Sequence, residues 1–111
     1  MAEYPGSTSR DYTFISHDPD SANTAATKTI AAVSGMGWCI QRVDFSYDGD
    51  GAGSLTITDG TNTFKVFVTS GGAGPLAGND VPLFIGKTGA AVTITLAAVS
   101  GKKGTLNILY Y

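Results

Sequence analysis

The chain has 111 residues, of which 42% are hydrophobic and only 14% are charged, and its formal net charge is −2. This length fits one domain with one core, and the few, dispersed basic residues exclude the electrostatic footprint of a nucleic-acid-binding protein. A single cysteine excludes an intrachain disulfide and a thiolate metal cluster. Because the 15 glycines and the many Ser and Thr residues favour turns and strands, the composition indicates an all-β domain.

The N-terminal sequence MAEYPGSTSR lacks the apolar segment that signal peptides carry. No run in the chain approaches the ~18 consecutive apolar residues of a membrane-spanning helix. We therefore expect a protein that is made in a cytoplasm, is not exported by a cleaved signal and has no membrane partner.

Residues 1–26 differ from the rest because they are rich in Ser, Thr, Asp and Pro, and only residues 12–16 (YTFIS) have a strand-like pattern. We predict an N-terminal arm over residues 1–26 and a β-sandwich domain over residues 27–111. The arm has two interpretations, a partly ordered terminus or a segment that lies on a neighbouring subunit. Its candidate anchors are aromatic: Tyr4, Tyr12 and Phe14.

The domain begins with two predicted strands. Residues 27–33 (TKTIAAV) form the first, and residues 38–47 (WCIQRVDFSY) form the longest, in which apolar and polar side chains alternate from Arg42 to Tyr47. A glycine-rich loop follows, because Gly alternates with Asp and Ala over residues 48–53.

Residues 54–69 (SLTITDGTNTFKVFVT) predict a β-hairpin, because two alternating runs flank the turn sequence DGTN at residues 59–62. Leu55 and Ile57 mark the core face of its first strand, and Phe64 marks the core face of its second. We expect the other strands to be arranged around this hairpin.

Residues 70–80 (SGGAGPLAGND) are predicted to be a glycine-rich connection, and Pro82 places residues 81–85 (VPLFI) at an edge or at the beginning of a strand. The last two strands are residues 91–99 (AVTITLAAV) and residues 105–111 (TLNILYY). Seven to eight short strands separated by turns predict an antiparallel β-sandwich or a jelly-roll-like barrel with an extended N-terminal arm.

No group of residues in the sequence predicts catalysis. His17 is the only histidine, so a multi-histidine metal site is not expected. Nothing in the sequence places His17 between an acid and a serine nucleophile, as a Ser–His–Asp triad requires. Cys39 falls on the same predicted face as Val43, which indicates a small buried side chain and not a reactive thiolate. We predict a protein that is not an enzyme, with no catalytic residues, no metal and no cofactor.

Two short motifs have partial likeness to ligand loops. The sequence Asp48-Gly49-Asp50-Gly51 begins like a calcium loop, but the third acidic ligand and the closing Glu of that pattern are missing. Residues 86–88 (GKT) are similar to the end of a phosphate-binding loop, but a strand follows where that motif needs a helix. Both are interpreted as turns.

Several large apolar residues fall out of phase with the core-facing residues of their strands. Isolated exposed apolar side chains are common, but their recurrence on the outer faces of several strands predicts a protein–protein contact. A second internal layer and simple exposure are the alternatives. The predicted contact residues in the domain are Trp38, Ile40, Phe67, Leu109 and Tyr111.

Four segments carry a resemblance to a known class of proteins: KTIAAV at residues 28–33, GWCIQRVDFSYD at residues 37–48, SLTITD at residues 54–59 and AVTITLAA at residues 91–98. Over residues 27–111 the chain resembles the small β-sandwich virion proteins of tailed bacteriophages, and it is most similar to the decoration or cement proteins of capsids. The resemblance is one of strand and turn spacing, and no individual functional residue is carried over from it.

The resemblance implies a homotrimer on three-fold or quasi-three-fold positions of the capsid exterior, assembled in the host cytoplasm. It also implies that the partner is the major capsid protein and that the N-terminal arm grips the shell or a neighbour. Two alternatives stay open: a fibre, tail or head–tail component of the particle, or a carbohydrate- or receptor-binding module. The aromatic platform of such a module would be Trp38, Phe67, Tyr110 and Tyr111.

Overall fold

A computed structural model describes residues 13–17, 23–69, 73–78 and 81–111. In these residues the chain forms nine β-strands and no helix, and therefore no helix that could cross a membrane. The strands are β1 (Thr13–His17), β2 (Ala26–Ile30), β3 (Cys39–Tyr47), β4 (Gly53–Thr58), β5 (Thr63–Val68), β6 (Ala73–Ala77), β7 (Phe84–Ile85), β8 (Val92–Leu96) and β9 (Gly104–Tyr110).

The strands form two antiparallel sheets. The first sheet has the order β1-β9-β3-β6, with β7 also paired to β3, and the second has the order β2-β8-β4-β5. Strand pairs β1–β9, β2–β8, β3–β6 and β4–β5 are nested inside one another along the chain and alternate between the sheets. A long hairpin that is rolled up in this way is a jelly roll. The prediction of an all-β antiparallel sandwich is confirmed.

The core lies between the sheets and is built by alternation along four strands. In β4 and β8 the side chains of Leu55, Ile57, Ile94 and Leu96 are fully buried, and β3 and β9 supply their counterparts from the first sheet. Burying such side chains is the main favourable term in folding. The remaining members of the buried core are Ala26, Ile30, Ile40, Val43, Phe45, Tyr47, Val68, Phe84, Val92, Leu106 and Ile108.

The predicted hairpin of residues 54–69 is present as β4 and β5, with continuous register between Gly53–Thr58 and Thr63–Val68. Its turn is held by Asp59, which is only 7% exposed. One carboxylate oxygen of Asp59 accepts hydrogen bonds from the backbone N–H groups of Thr61 (2.9 Å) and Asn62 (2.6 Å). The other accepts from the backbone N–H of Lys87 at 2.8 Å, which ties the hairpin to the turn before β8.

These backbone hydrogen bonds, of which that from Asn62 has the largest effect, lower the pKa of Asp59 from 3.8 to about 2. The carboxylate is therefore charged at every physiological pH. The sequence indicates the turn at residues 59–62 but gives no sign of the link to Lys87, because that contact joins residues distant along the chain.

The prediction that residues 70–80 are only a connection is wrong, because β6 (Ala73–Ala77) lies within them and pairs with β3. Gly74 and Pro75 are typical of turns, so the sequence of this segment does not predict a strand. Gly74 fits closely there, since a Cβ at this position would lie 3.1 Å from the ring of Phe45 and the ring would have to shift slightly. The short edge strand predicted in residues 81–85 is present as β7, which continues along β3 after the chain leaves the edge between Gly78 and Phe84.

A β-bulge in β3 overturns two predictions of which side chains face the core. The pairing of β3 with β9 shifts register between Ile40 and Arg42, so that Ile40 and Val43, three residues apart, both face inward. Ile40 is completely buried and is not part of any outer surface, and Cys39 is half-buried on the other face of the strand. Strict alternation assigns these two residues the opposite way, because a bulge inserts one extra residue.

Candidate functional site

The predicted contact residues do not form one surface. Tyr4 and Tyr12 lie outside the described residues. The backbone of Phe14 lies in β1 opposite Leu109 of β9, on the first sheet. Phe67, in contrast, lies in β5 at the edge of the second sheet.

Leu109 and Tyr111 share the outer face of the first sheet and are joined there by two further apolar residues. Cys39 pairs with Ile85 of β7, and Cys39 and Tyr111 exchange backbone hydrogen bonds of 2.7 and 3.0 Å. Ile85 is 64% exposed, whereas Cys39, Leu109 and Tyr111 are half-buried. We call Cys39, Ile85, Leu109 and Tyr111 the outer patch.

Two residues of the outer patch are not found by sequence reasoning. A strand as short as Phe84–Ile85 has no period from which its outward residue can be read, and Cys39 is assigned to the wrong face because of the bulge. The buried neighbour Phe84 is the only signal that Ile85 points outward, since adjacent residues of a strand face opposite sides.

Trp38 lies at the rim of the core and not on an outer face. Its ring meets that of Tyr110 edge-on, with centroids 5.5 Å apart and an interplanar angle of 81°. Its indole N–H donates a 3.0 Å hydrogen bond to the carbonyl of Ala31. Both contacts are those of a partly buried side chain that packs against the core, and such edge-to-face geometry stabilises aromatic pairs.

Phe67 is the most exposed large hydrophobic side chain of the described residues, at 82%. The ammonium group of Lys65 lies 5.8 Å from the centroid of its ring, which places the two side chains on the same outer face of β5. Phe64 and Val66 alternate with them and face the core, where they remain half-buried. β5 therefore presents apolar side chains on both faces at the edge of its sheet.

The outer face of the second sheet carries rows of threonine that the sequence analysis did not single out. Thr27, Thr95 and Thr56 lie side by side on β2, β8 and β4, and a parallel row contains Thr29, Thr93 and Thr58. The hydroxyl oxygens of Thr29 and Thr93 are 3.1 Å apart. Cross-strand threonine pairs of this kind stabilise a sheet, so the rows have a structural explanation.

No three acidic, histidine or cysteine side chains among the described residues lie close enough to hold a metal ion. Asp48, in the loop with partial likeness to a calcium site, accepts a 3.0 Å hydrogen bond from the backbone N–H of Lys103. Arg42 and Asp44 form an exposed ion pair of 2.8 Å, and such pairs contribute little to stability.

A cavity of about 290 Å³ lies beside the Asp48 loop. Its lining contains one carboxylate and one ammonium group, those of Asp48 and Lys103, together with Ser46, Tyr47 and Thr105. No imidazole or thiol lines this cavity.

The described residues offer exposed apolar surface at the outer patch, through Ile85, and at the β5 edge, through Phe67. Comparisons with protein-family models, with curated proteins and with solved structures found no match to this chain.

Proposed function

We propose that this chain is a structural protein that acts by protein–protein contact, namely a decoration or cement protein on the capsid of a tailed bacteriophage. The observation that carries the proposal is the outer patch, four apolar residues on the outer face of the first sheet, of which Ile85 is 64% exposed. The exposed Arg42 borders the patch, opposite Leu109. Apolar clusters of this kind on a protein surface are characteristic of interaction sites.

The patch lies beside β1, the strand that Thr13–His17 form within the predicted N-terminal arm. β1 pairs with β9 such that Phe14 is opposite Leu109, a residue of the outer patch. In this proposal the rest of the arm extends the contact that the patch makes. This arrangement suits a protein that binds across neighbouring subunits.

The physical effect of such a protein is to add buried interface between subunits of a shell. Removing apolar surface from water favours the assembly, and binding only to the assembled state shifts the equilibrium toward it by mass action. In this proposal the chain associates with itself as a trimer, and its partner is the major capsid protein on the outside of the virion. The fold is compatible with this role, because jelly rolls occur in viral capsid proteins, but it does not imply the role by itself.

A carbohydrate-binding module is the principal alternative, and the positions of the aromatic residues do not favour it. A glycan platform needs ring faces that lie side by side in solvent. Trp38 packs edge-on against Tyr110 at the rim of the core, and Phe67 lies on the second sheet. A fibre, tail or head–tail component would bind a different partner through the same apolar contacts.

The test is co-sedimentation of the purified full chain with expanded empty capsids, compared with the variants Ile85→Asp and Thr27→Asp. Ile85→Asp places a charge in the outer patch and is expected to abolish binding, because burying an unpaired carboxylate is costly. Thr27 is exposed on the outer face of the second sheet, and Thr27→Asp is the matched control that keeps binding. Binding to a glycan array with no binding to capsids, or capsid binding unaffected by Ile85→Asp, would overturn the proposal.

A further inference from the structure

The described residues contain four sheet edges: β1 on one side of the first sheet and β6 with β7 on the other, and β2 and β5 in the second sheet. An edge strand presents backbone N–H and C=O groups that can pair with another chain. Proteins block such edges with proline, with interruptions of the strand, with charged side chains on the edge strand, or with charges on its inward face.

Two of these edges are blocked by such features. β6 contains Pro75, and the chain leaves that edge between Gly78 and Phe84 before it returns as β7. β2 places the charged side chain of Lys28 at a core-facing position, opposite Ile94 of β8. A strand added beside β2 would have to cover that ammonium group.

β5 has no proline, no interruption and no inward-facing charge, and its one charged side chain, Lys65, lies on the outer face. Its six residues stay in continuous register with β4, and Phe64 and Val66 occupy its core-facing positions. Both are half-buried, so the core is incompletely covered at this edge. β1 and β2 approach each other on the opposite side of the sandwich, whereas β5 and β6 come less close.

The sequence of β5 can pair with its own copy in a register that is centred on Val66. Two antiparallel copies keep their core faces on the same side only if one residue lies opposite its own copy on a two-fold axis. An axis at Lys65 would oppose two ammonium groups, which is destabilising. An axis at Val66 places Lys65 opposite Phe67 of the partner subunit, twice, and repeats across the interface the cation–aromatic contact that the two residues already make within one strand at 5.8 Å.

We propose that the β5 edge is a self-association site at which β5 of a second copy of this chain pairs antiparallel, with Val66 on the two-fold axis. The second sheet thereby becomes continuous across two subunits, and Phe64 and Val66 become covered. This site is separate from the outer patch. Because the contact joins copies in pairs, it produces a dimer, or it doubles any assembly that the chain forms through another surface.

The test uses two oppositely charged variants of the full chain, Phe67→Lys and the double variant Lys65→Glu/Phe67→Glu. The side chains of Lys65 and Phe67 are exposed, so both variants are expected to fold. Each variant places like charges opposite one another across the proposed axis, and each is expected to weaken self-association by about tenfold or more. Mixed in equal amounts, they have opposite charges at both contacts and are expected to associate again.

The measurement is the mass of each sample by sedimentation equilibrium from low to high micromolar concentration. The wild-type particle is expected to contain an even number of chains, each variant to have half that mass, and the mixture to recover it. Thr27→Lys, an exposed change on β2, is the matched control and is expected to keep the wild-type mass. Hydrogen exchange gives a second readout, in which the amide groups of β5 are protected in the wild type and lose protection in Phe67→Lys.

A wild type that is monomeric at high micromolar concentration, or that contains an odd number of chains, would overturn the proposal. So would variants that retain the wild-type mass, or a β5 edge that becomes protected only when a different protein is added. None of these outcomes bears on capsid binding through the outer patch, which Ile85→Asp tests by itself.

Discussion

The two edge strands of the second sheet, β2 and β5, differ in the core-facing side chain that each contributes to the same row across the sheet. One row of core-facing side chains crosses the sheet from Lys28 through Ile94 and Ile57 to Phe64. The two central residues are fully buried and the two outer ones are half-buried. At the β2 edge the row ends in an ammonium group, and at the β5 edge it ends in a phenyl ring. The β2 edge therefore carries an inward-facing charge, a feature that opposes pairing, whereas the core-facing positions of the β5 edge are apolar.

The largest expected effect comes from cutting the row at its centre. Ile94→Ala removes a side chain that is fully buried between β2 and β4, and it should lower the free energy of unfolding by about 2–5 kcal/mol. Urea denaturation measures this loss. The space that the substitution leaves lies between the β2 and β5 edges. Self-association of the fraction that remains folded should therefore not change, and weaker self-association of the folded variant would contradict the assignment of that contact to the β5 edge.

A second change gives the β5 edge the feature of the β2 edge. Val66→Lys places an ammonium group at a half-buried, core-facing position, and we expect self-association to be lost. The free energy of unfolding should fall by about 1 kcal/mol, since part of a valine side chain's burial is lost and the long lysine side chain can reach solvent. Analytical ultracentrifugation and urea denaturation measure the two effects. Self-association that survives Val66→Lys would show that an inward charge does not protect this edge.

The third prediction concerns the turn that anchors one end of β5. The pKa of Asp59 is lowered to about 2 in the folded protein from an ordinary value of 3.8. A carboxyl with a lowered pKa stabilises the folded state above its ordinary pKa, and this contribution is lost as the pH falls through 3.8 toward about 2. Asp59→Asn lacks this titration, and its amide cannot accept the hydrogen bond from the N–H of Lys87.

We therefore expect Asp59→Asn to melt several degrees below the wild type at neutral pH and to approach it in acid. Asp44→Asn, which alters an exposed ion pair, is the control and should follow the wild type at neutral pH. The measurement is the melting temperature of each protein across the acid range. A difference between the wild type and Asp59→Asn that persists at the lowest pH would contradict stabilisation by the charged carboxylate of Asp59.

The smallest effect on stability is expected from removing the protective charge of β2. Lys28→Val makes both ends of the row apolar and should change the free energy of unfolding by less than about 1 kcal/mol. Its effect on assembly should be large, because a subunit with two apolar edges can join a neighbour on each side. Light scattering should then show a mass that rises with concentration beyond that of the wild type, whereas Thr27→Val on the outer face of the same strand should not.

Alternation along the chain was sufficient to predict the long strands. In β3, β4, β8 and β9 the core-facing side chains recur at every second residue over most of each strand, so the sandwich and its central hairpin follow from local sequence. β6 was not predictable in this way, because Gly74 and Pro75 are typical of turns and the strand exists only through its pairing with β3.

The surface was predicted less well than the core. Phe67 and Leu109 lie on outer faces because each is out of phase in a regular strand. Ile40 is buried because the bulge interrupts the period, and Ile85 was missed because its strand is too short to have one. The difference between the β2 and β5 edges also needs the strand order, since sequence does not show which strands lie at the edges of a sheet.

The nested pairing of the strands has a consequence for folding. β4 and β5 are joined by a turn of four residues, 59–62, whereas β1 and β9 come from opposite ends of the chain. The entropy lost in closing a loop grows with its length. The strand pairs are therefore expected to form in order from β4–β5 outward to β1–β9, so that β1 pairs last and detaches first. A strand that docks late can pair with a neighbouring copy instead, and exchange of an identical element between copies is a low-cost route to an assembly.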